Sequence, residues 1–175
     1  MASIGDVLSV AAALVSAVGG FFSARAAAQS AHSARETQQA AADAERRSML
    51  RLVALTAAET IVEAGAIEAR GNDLKKAYRA LYTHAGQYGS ASHKAHEGVV
   101  DSQMKTSVDK SDHAALFTGA ITKLASAPPE EIDRVQLSLS SALTELRAIR
   151  LDLERKNAII QDDIAPYRNR AILGK

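Results

Sequence analysis

The sequence predicts an all-α protein in which a long N-terminal helix leads into an antiparallel helical bundle or coiled coil. Alanine supplies 36 of the 175 residues while Phe and Tyr supply seven and Trp none, a bias toward helix and away from aromatic-rich sheets. No proline occurs before Pro128, so nothing forces a helix to stop in the first two thirds of the chain. Large apolar residues in the later segments recur at steps of three and four, the spacing of one helix face.

The first element is residues 1–24. Val7 to Ala24 contains eighteen residues without a charge, bracketed by Asp6 and Arg25. As a helix it extends about 27 Å, close to the hydrocarbon thickness of a bilayer, and it is expected to act as a transmembrane anchor. Residues 1–6 lack the basic start of a cleaved signal peptide. Ala12, Ser16, Gly20 and Ala24 recur every four residues and leave one side of that helix flat, the small-residue spacing at which helices approach each other in lipid. Arg25 and Arg35, then Arg46, Arg47 and Arg51, follow the run, whereas Asp6 alone precedes it. Positive flanks stay inside, so the expected location is the membrane, single-pass, with a cytoplasmic C-terminal body. The alternative is a soluble protein that buries the run against other helices.

Residues 25–45 are Ala, Gln, Ser and charge with scarcely any large apolar side chain, and read as a helical stalk with little to bury. Residues 46–165 form the expected bundle. Leu50, Val53, Ala57, Ile61, Ala64 and Ile67 define the packed face of its first helix. Arg70-Gly71-Asn72-Asp73 reads as a stop and a restart, because Gly ends helices without strain and Asn or Asp caps the next one. A second helix is expected over 73–85, a glycine-rich connection over 86–98, and one or two helices over 99–125 with a potential break at Lys110-Ser111-Asp112. Pro128-Pro129-Glu130-Glu131 starts the last helix, since proline suits the first turn and acids suit the positive end of the dipole. Its core residues are Ile132, Val135, Leu139, Ala142, Leu146, Ile149 and Leu153, with Ile160 beyond; Leu137, Leu143 and Leu151 are expected to widen the stripe. Pro166 is expected to end that helix and leave residues 166–175 as a tail. Four such helices joined antiparallel make a small bundle.

Several function classes lose their usual signatures. Without cysteine there is no disulfide framework, zinc-thiolate site or thiol nucleophile. A net charge of +1 gives no bulk attraction for nucleic acid, and Lys75, Lys76 and Arg79 read as the wet face of a helix. No phosphate-binding glycine loop, nucleophile elbow or zinc-helix motif is present, so no enzyme activity, no cofactor and no small-molecule substrate is expected. His93, His96 and Glu97 with His84 nearby resemble metal ligands in type, but they sit in a Gly and Ser-rich stretch with no second pair to complete a site. The expected function is therefore non-enzymatic: a membrane-anchored helical bundle that serves as an interaction or assembly module, with membrane lipid and either further copies of itself or another helical protein as partners. A membrane-active, pore-forming or holin-like protein is the first alternative, and a soluble coiled-coil assembly subunit the second.

Overall fold

The computed structural model describes residues 4–173; for residues 4–22, 24, 168 and 170–173 it describes the backbone alone. The described chain forms three helices joined by short turns, with α1 at Ile4–His84, α2 at Ala91–Leu124 and α3 at Pro129–Leu173. It divides into two compact units, residues 1–46 and 47–175. In the first, the described side chains from Arg25 to Glu45 are exposed, as an Ala, Gln and Ser-rich helix with no large apolar face requires.

The second unit is a three-helix bundle. Thr56 contacts Gln136, Arg70 contacts Glu154 and the His84 ring stacks on Tyr167, so residue numbers on α1 and α3 rise together and the two helices are parallel. Arg79 meets Glu97, and Gln103 meets Asp152, which places α2 antiparallel to both. The core lies where the three stripes meet. At one end Val53 and Ala57 pack with Ala114 and Leu124 and with Ile132 and Leu139. At the other, Ile67, Leu74 and Tyr78 pack with Val100 and with Leu146, Leu153, Ile160 and Ile164. Full burial of each of these leucines and isoleucines contributes about 1.5–3 kcal/mol. The buried hydroxyls need no cross-helix partner: Thr60 donates to the Thr56 carbonyl at 2.7 Å and Ser107 to the Met104 carbonyl at 2.7 Å, which satisfies groups that would otherwise be costly to bury.

The connection between α1 and α2 is shorter than the sequence implies. Only residues 85–90 leave the helix, and Gly86 and Gly89 take φ values of +66° and +78°, conformations that side chains with a Cβ rarely adopt. Ser90 caps α2 by accepting from the His93 amide at 3.2 Å, so residues 91–98, expected in the loop, form the first two turns of α2. Between α2 and α3 the amides of Ala125, Ser126 and Ala127 bond back to the last carbonyls of α2, and Pro129 opens α3 with Glu130 and Glu131 in its first turn.

Two expected boundaries are corrected, and a third that the sequence leaves open is decided. The Arg70-Gly71-Asn72-Asp73 sequence does not reverse the chain: α1 runs through it, because Val100 and Met104 of α2 pack against Gly71 and continuation buries Leu74, Ala77 and Tyr78. Lys110-Ser111-Asp112 does not interrupt α2, whose buried positions Val100, Ser107 and Ala114 keep one face across it. Pro166 lies inside α3 and not at its end; it and Asp162, four residues earlier, are exposed, so water can meet the carbonyl that proline leaves without a donor. The bundle accordingly has three members rather than four.

Candidate functional site

The predicted core residues of α3 are distributed by burial. Ile132, Leu139, Leu146 and Leu153 are fully or almost fully buried, and Val135 and Ile149 are half-buried at the margins of the two apolar clusters. Leu143 is buried beside them, whereas Leu137 and Leu151 point away from the core and are 71% and 59% exposed. The proposed association stripe Ala12, Ser16, Gly20 and Ala24 lies outside the residues whose side chains are described. Among the described residues no helix is long and apolar enough to cross a membrane, and the side chains of Val7 to Ala24, Ser23 apart, are not among them.

Three of the five histidines, His84, His93 and His96, gather around the α1–α2 turn and are used structurally. His93 is almost fully buried, and its Nδ1 accepts the Gly89 amide at 3.1 Å. Ser90 Oγ accepts the His93 amide, so side chains of both residues take up backbone amides at the helix start, His93 that of Gly89 and Ser90 that of His93. The His93 ring contacts Tyr82 and Tyr88, and its Nε2 lies 3.7 Å from Glu97 Oε1. His96 stacks flat on Tyr78 with ring centroids 4.8 Å apart, and its Nδ1 pairs with the Tyr82 hydroxyl at 2.7 Å. Glu97 is held by Arg79 Nε at 2.8 Å. The Nδ1 atoms of His93 and His96 are thus engaged by an amide and a phenol, His93 Nε2 is buried without a hydrogen bond, and among the described residues no group of three or more His, Asp or Glu is placed to hold a metal ion. Burial pushes the Tyr78 phenol above its ordinary range, against the opposing influence of Lys156.

The basic residues of the same helix are not an open patch. Lys75 pairs with Asp101, Arg79 with Glu97, and Lys76 with Asp73 at 3.3 Å, so each is offset by an acid. An open groove of about 580 Å³ between α2 and α3 is lined by Thr106, Lys110, His113, Ser141 and Glu145. Its Lys110–Glu145 pair, at 2.6 Å, spends both charges on each other, and the Thr106 hydroxyl is donated to the Ser102 carbonyl.

On the α2–α3 side Asp152 Oδ2 accepts from Lys156 Nζ at 2.6 Å and from Gln103 Nε2 at 2.9 Å. The Lys156 hydrogen bond, opposed by partial burial and helped by Gln103, holds the Asp152 carboxyl below its ordinary range. A depressed carboxylate stabilises the fold above its unfolded value, near pH 3.9, and that stability is lost as pH falls through the folded value. Asp152→Asn is therefore expected to cost about 0.5 kcal/mol or less at neutral pH, in keeping with a partly exposed pair, and to remove part of the stability lost on acidification below about pH 4. Urea titrations of both chains at neutral and acid pH check this.

The arrangement that differs from an ordinary solvated surface is the outer face shared by α1 and α3. Leu55 and Val62 are 62% and 72% exposed, and Leu52 is also exposed. Glu59, between Leu55 and Val62, reaches across the helix boundary to Arg147 at 3.1 Å. Helical spacing places Leu151 one turn beyond Arg147 and Leu137 two heptads before Leu151, and the Thr56–Gln136 hydrogen bond at 3.0 Å sets Leu55 and Leu137 at the same level. Inside this line Arg150 bonds Glu63 and also Glu154 at 3.3 Å; the Glu63 hydrogen bond, then its charge, raise the guanidinium further above its ordinary value. The face thus reads apolar, ion pair, apolar along two parallel helices.

No family model, curated protein or solved structure matches the chain. The class that the fold defines is an all-helical protein whose second unit is an up-down-up bundle.

Proposed function

We propose that this is a non-enzymatic, membrane-anchored assembly module: residues 7–24 fix the chain in a bilayer as a single pass, and the bundle, on the cytoplasmic side, binds helical partners, further copies of itself among them. The observation that carries anchoring is the uncharged run of eighteen residues closed by Arg25, with further arginines on that side alone. The helix that contains it extends from Ile4 to His84, so the run needs no separate structural element. The assembly part of the reading is supported by the large apolar side chains left on the outside of α1 and α3, among them Leu55, Val62, Leu137 and Leu151. Among the described residues the charged groups of the α1–α2 turn and of the α2–α3 groove are paired with one another.

Fractionation of cells that express the full-length chain tests the anchor. The full chain is expected to sediment with membranes and to stay there in alkaline carbonate, whereas a chain that begins at Arg25 is released. Recovery of the full chain in the supernatant without detergent contradicts anchoring and favours the assembly subunit that buries its N-terminal helix against copies of itself.

A further inference from the structure

We propose that the α1–α2 turn is a proton-released clasp: the neutral ring of His93 holds the Gly89 amide, and proton uptake by that ring lets it go. The inference is independent of anchoring and of assembly.

The backbone amides of the turn are not all held alike. Those of Gly86, Gln87 and Ser90 donate to the carbonyls of Thr83, Tyr82 and Gln87, acceptors that do not titrate. The Gly89 amide donates instead to His93 Nδ1 at 3.1 Å. A ring nitrogen accepts through its lone pair, so the neutral ring carries its proton on Nε2. His93 is almost fully buried, and Nε2 makes no hydrogen bond. Glu97 Oε1 lies 3.7 Å from it and is already bonded by Arg79.

A second proton goes to Nδ1, where the remaining lone pair of the ring lies. The Nδ1–H then meets the Gly89 N–H, donor against donor, and the bond between them is lost. Buried donors without an acceptor are costly, and movement of the turn relieves that cost. Gly89 is exposed and already sits at a φ of +78°, so its amide can turn to water. The ring stays in contact with Tyr82 and Tyr88, with Nε2–H toward the Glu97 carboxylate. The helix start is not involved, because the His93 amide is capped by Ser90 Oγ at 3.2 Å. One proton therefore frees the turn and leaves α2 to begin where it did.

The ring is faced from α1 by Tyr82, from the turn by Tyr88 and from α2 by Glu97. Behind these lie Arg79, and His96 stacked on Tyr78, the phenol on which Lys156 and Asp152 of α3 act. His96 is bonded through Nδ1 to the Tyr82 hydroxyl and to no turn amide, so a proton on His96 leaves the Gly89 bond in place.

Nuclear magnetic resonance of the isotope-labelled full-length chain in mild detergent micelles tests the clasp along a series from about pH 8 to about pH 5, the range over which imidazoles ordinarily change charge. At the alkaline end the His93 nitrogens are expected to read as a bare Nδ1 and a protonated Nε2. As the ring gains its second proton, protection of the Gly89 amide from hydrogen exchange, relative to an unstructured chain at the same pH, is expected to fall about fivefold or more, as loss of one hydrogen bond requires, while protection of the His93 amide stays within about twofold. His93→Gln, whose side chain does not titrate, is expected to give the same Gly89 protection at both ends of the series, with circular dichroism as the check on its fold. The parent chain decides the matter alone if that variant does not fold. A proton on Nδ1 at the alkaline end, a ring still neutral at the acid end, or a charged ring beside undiminished Gly89 protection overturns the proposal. So does an equal loss at the His93 amide, or a folded His93→Gln chain in which Gly89 is released as before.

Discussion

Leu146→Asp is expected to abolish the cooperative thermal transition of the bundle. Leu146 is fully buried in the apolar cluster formed by Ile67, Leu74, Val100, Leu153 and Ile160. Removal of a buried leucine side chain costs about 2–5 kcal/mol. A carboxylate in its place adds a desolvation cost of several kcal/mol with no base among those neighbours to offset it. The sum is comparable with the whole stability of a domain, about 5–15 kcal/mol. Leu116→Asp makes the same chemical change at an exposed position of α2 and is expected to shift stability by about 0.5 kcal/mol. Circular dichroism melts of the two variants beside the parent chain measure the contrast, and equal midpoints would mean that α3 does not present Leu146 to the core.

The second large effect is expected at Gly71. A Cβ there would lie 2.6 Å from Met104 Sδ, 2.8 Å from Met104 Cγ and 3.3 Å from Val100 Cγ1. Gly71→Leu places four carbons where α1 and α2 have room for none. Overpacking of this kind costs about 1–3 kcal/mol and outweighs the gain of about 1 kcal/mol from replacing a mid-helix glycine. Gly71→Ala sets the same gain against a clash that the flexible Met104 thioether relieves by rotating, so its net effect is small. Denaturant titrations are expected to rank Gly71→Leu well below the parent and Gly71→Ala near it. A Gly71→Leu chain stabilised by about 1 kcal/mol would show that glycine there is only a weak helix former and not a packing residue.

Gly71 also shows where the sequence was legible and where it was not. The helical class followed from alanine content and three-four periodicity, and Val53, Ala57, Ala64, Ile67, Leu139, Leu146 and Leu153 lie inside the bundle. Those positions were readable because burial of one face imposes that spacing. The Arg70-Gly71-Asn72-Asp73 sequence has the chemistry of a helix stop, yet local stop signals are worth about 1 kcal/mol, less than the burial of Leu74, Ala77 and Tyr78 gained by continuing. A usable signal was present: Ala64, Ile67, Gly71, Leu74 and Tyr78 keep steps of three and four, with glycine as the smallest knob in the row. Pro166 misled for the related reason that proline removes one hydrogen bond without excluding a kinked helix where the freed carbonyl is exposed.

The candidate surface was the least legible feature. Leu137 and Leu151 carry the same residue type as the core leucines, and only the relative rotation of α1 and α3 decides that they face outward. The Glu59–Arg147 pair joins residues 88 positions apart and has no local signature. His93 likewise looked like a loop residue because Gly86, Gly89 and Gly98 surround it, although only the first two belong to the turn and Ser90 already caps α2.

The central claim, that the N-terminal run anchors a working bundle, is tested most directly by reconstituting the full-length chain into dye-filled vesicles and floating them on a density gradient. The account predicts that the protein rises with the vesicles and that the dye stays inside. Protein left at the bottom of the gradient, or vesicles that rise with protein but have lost their dye, would contradict it.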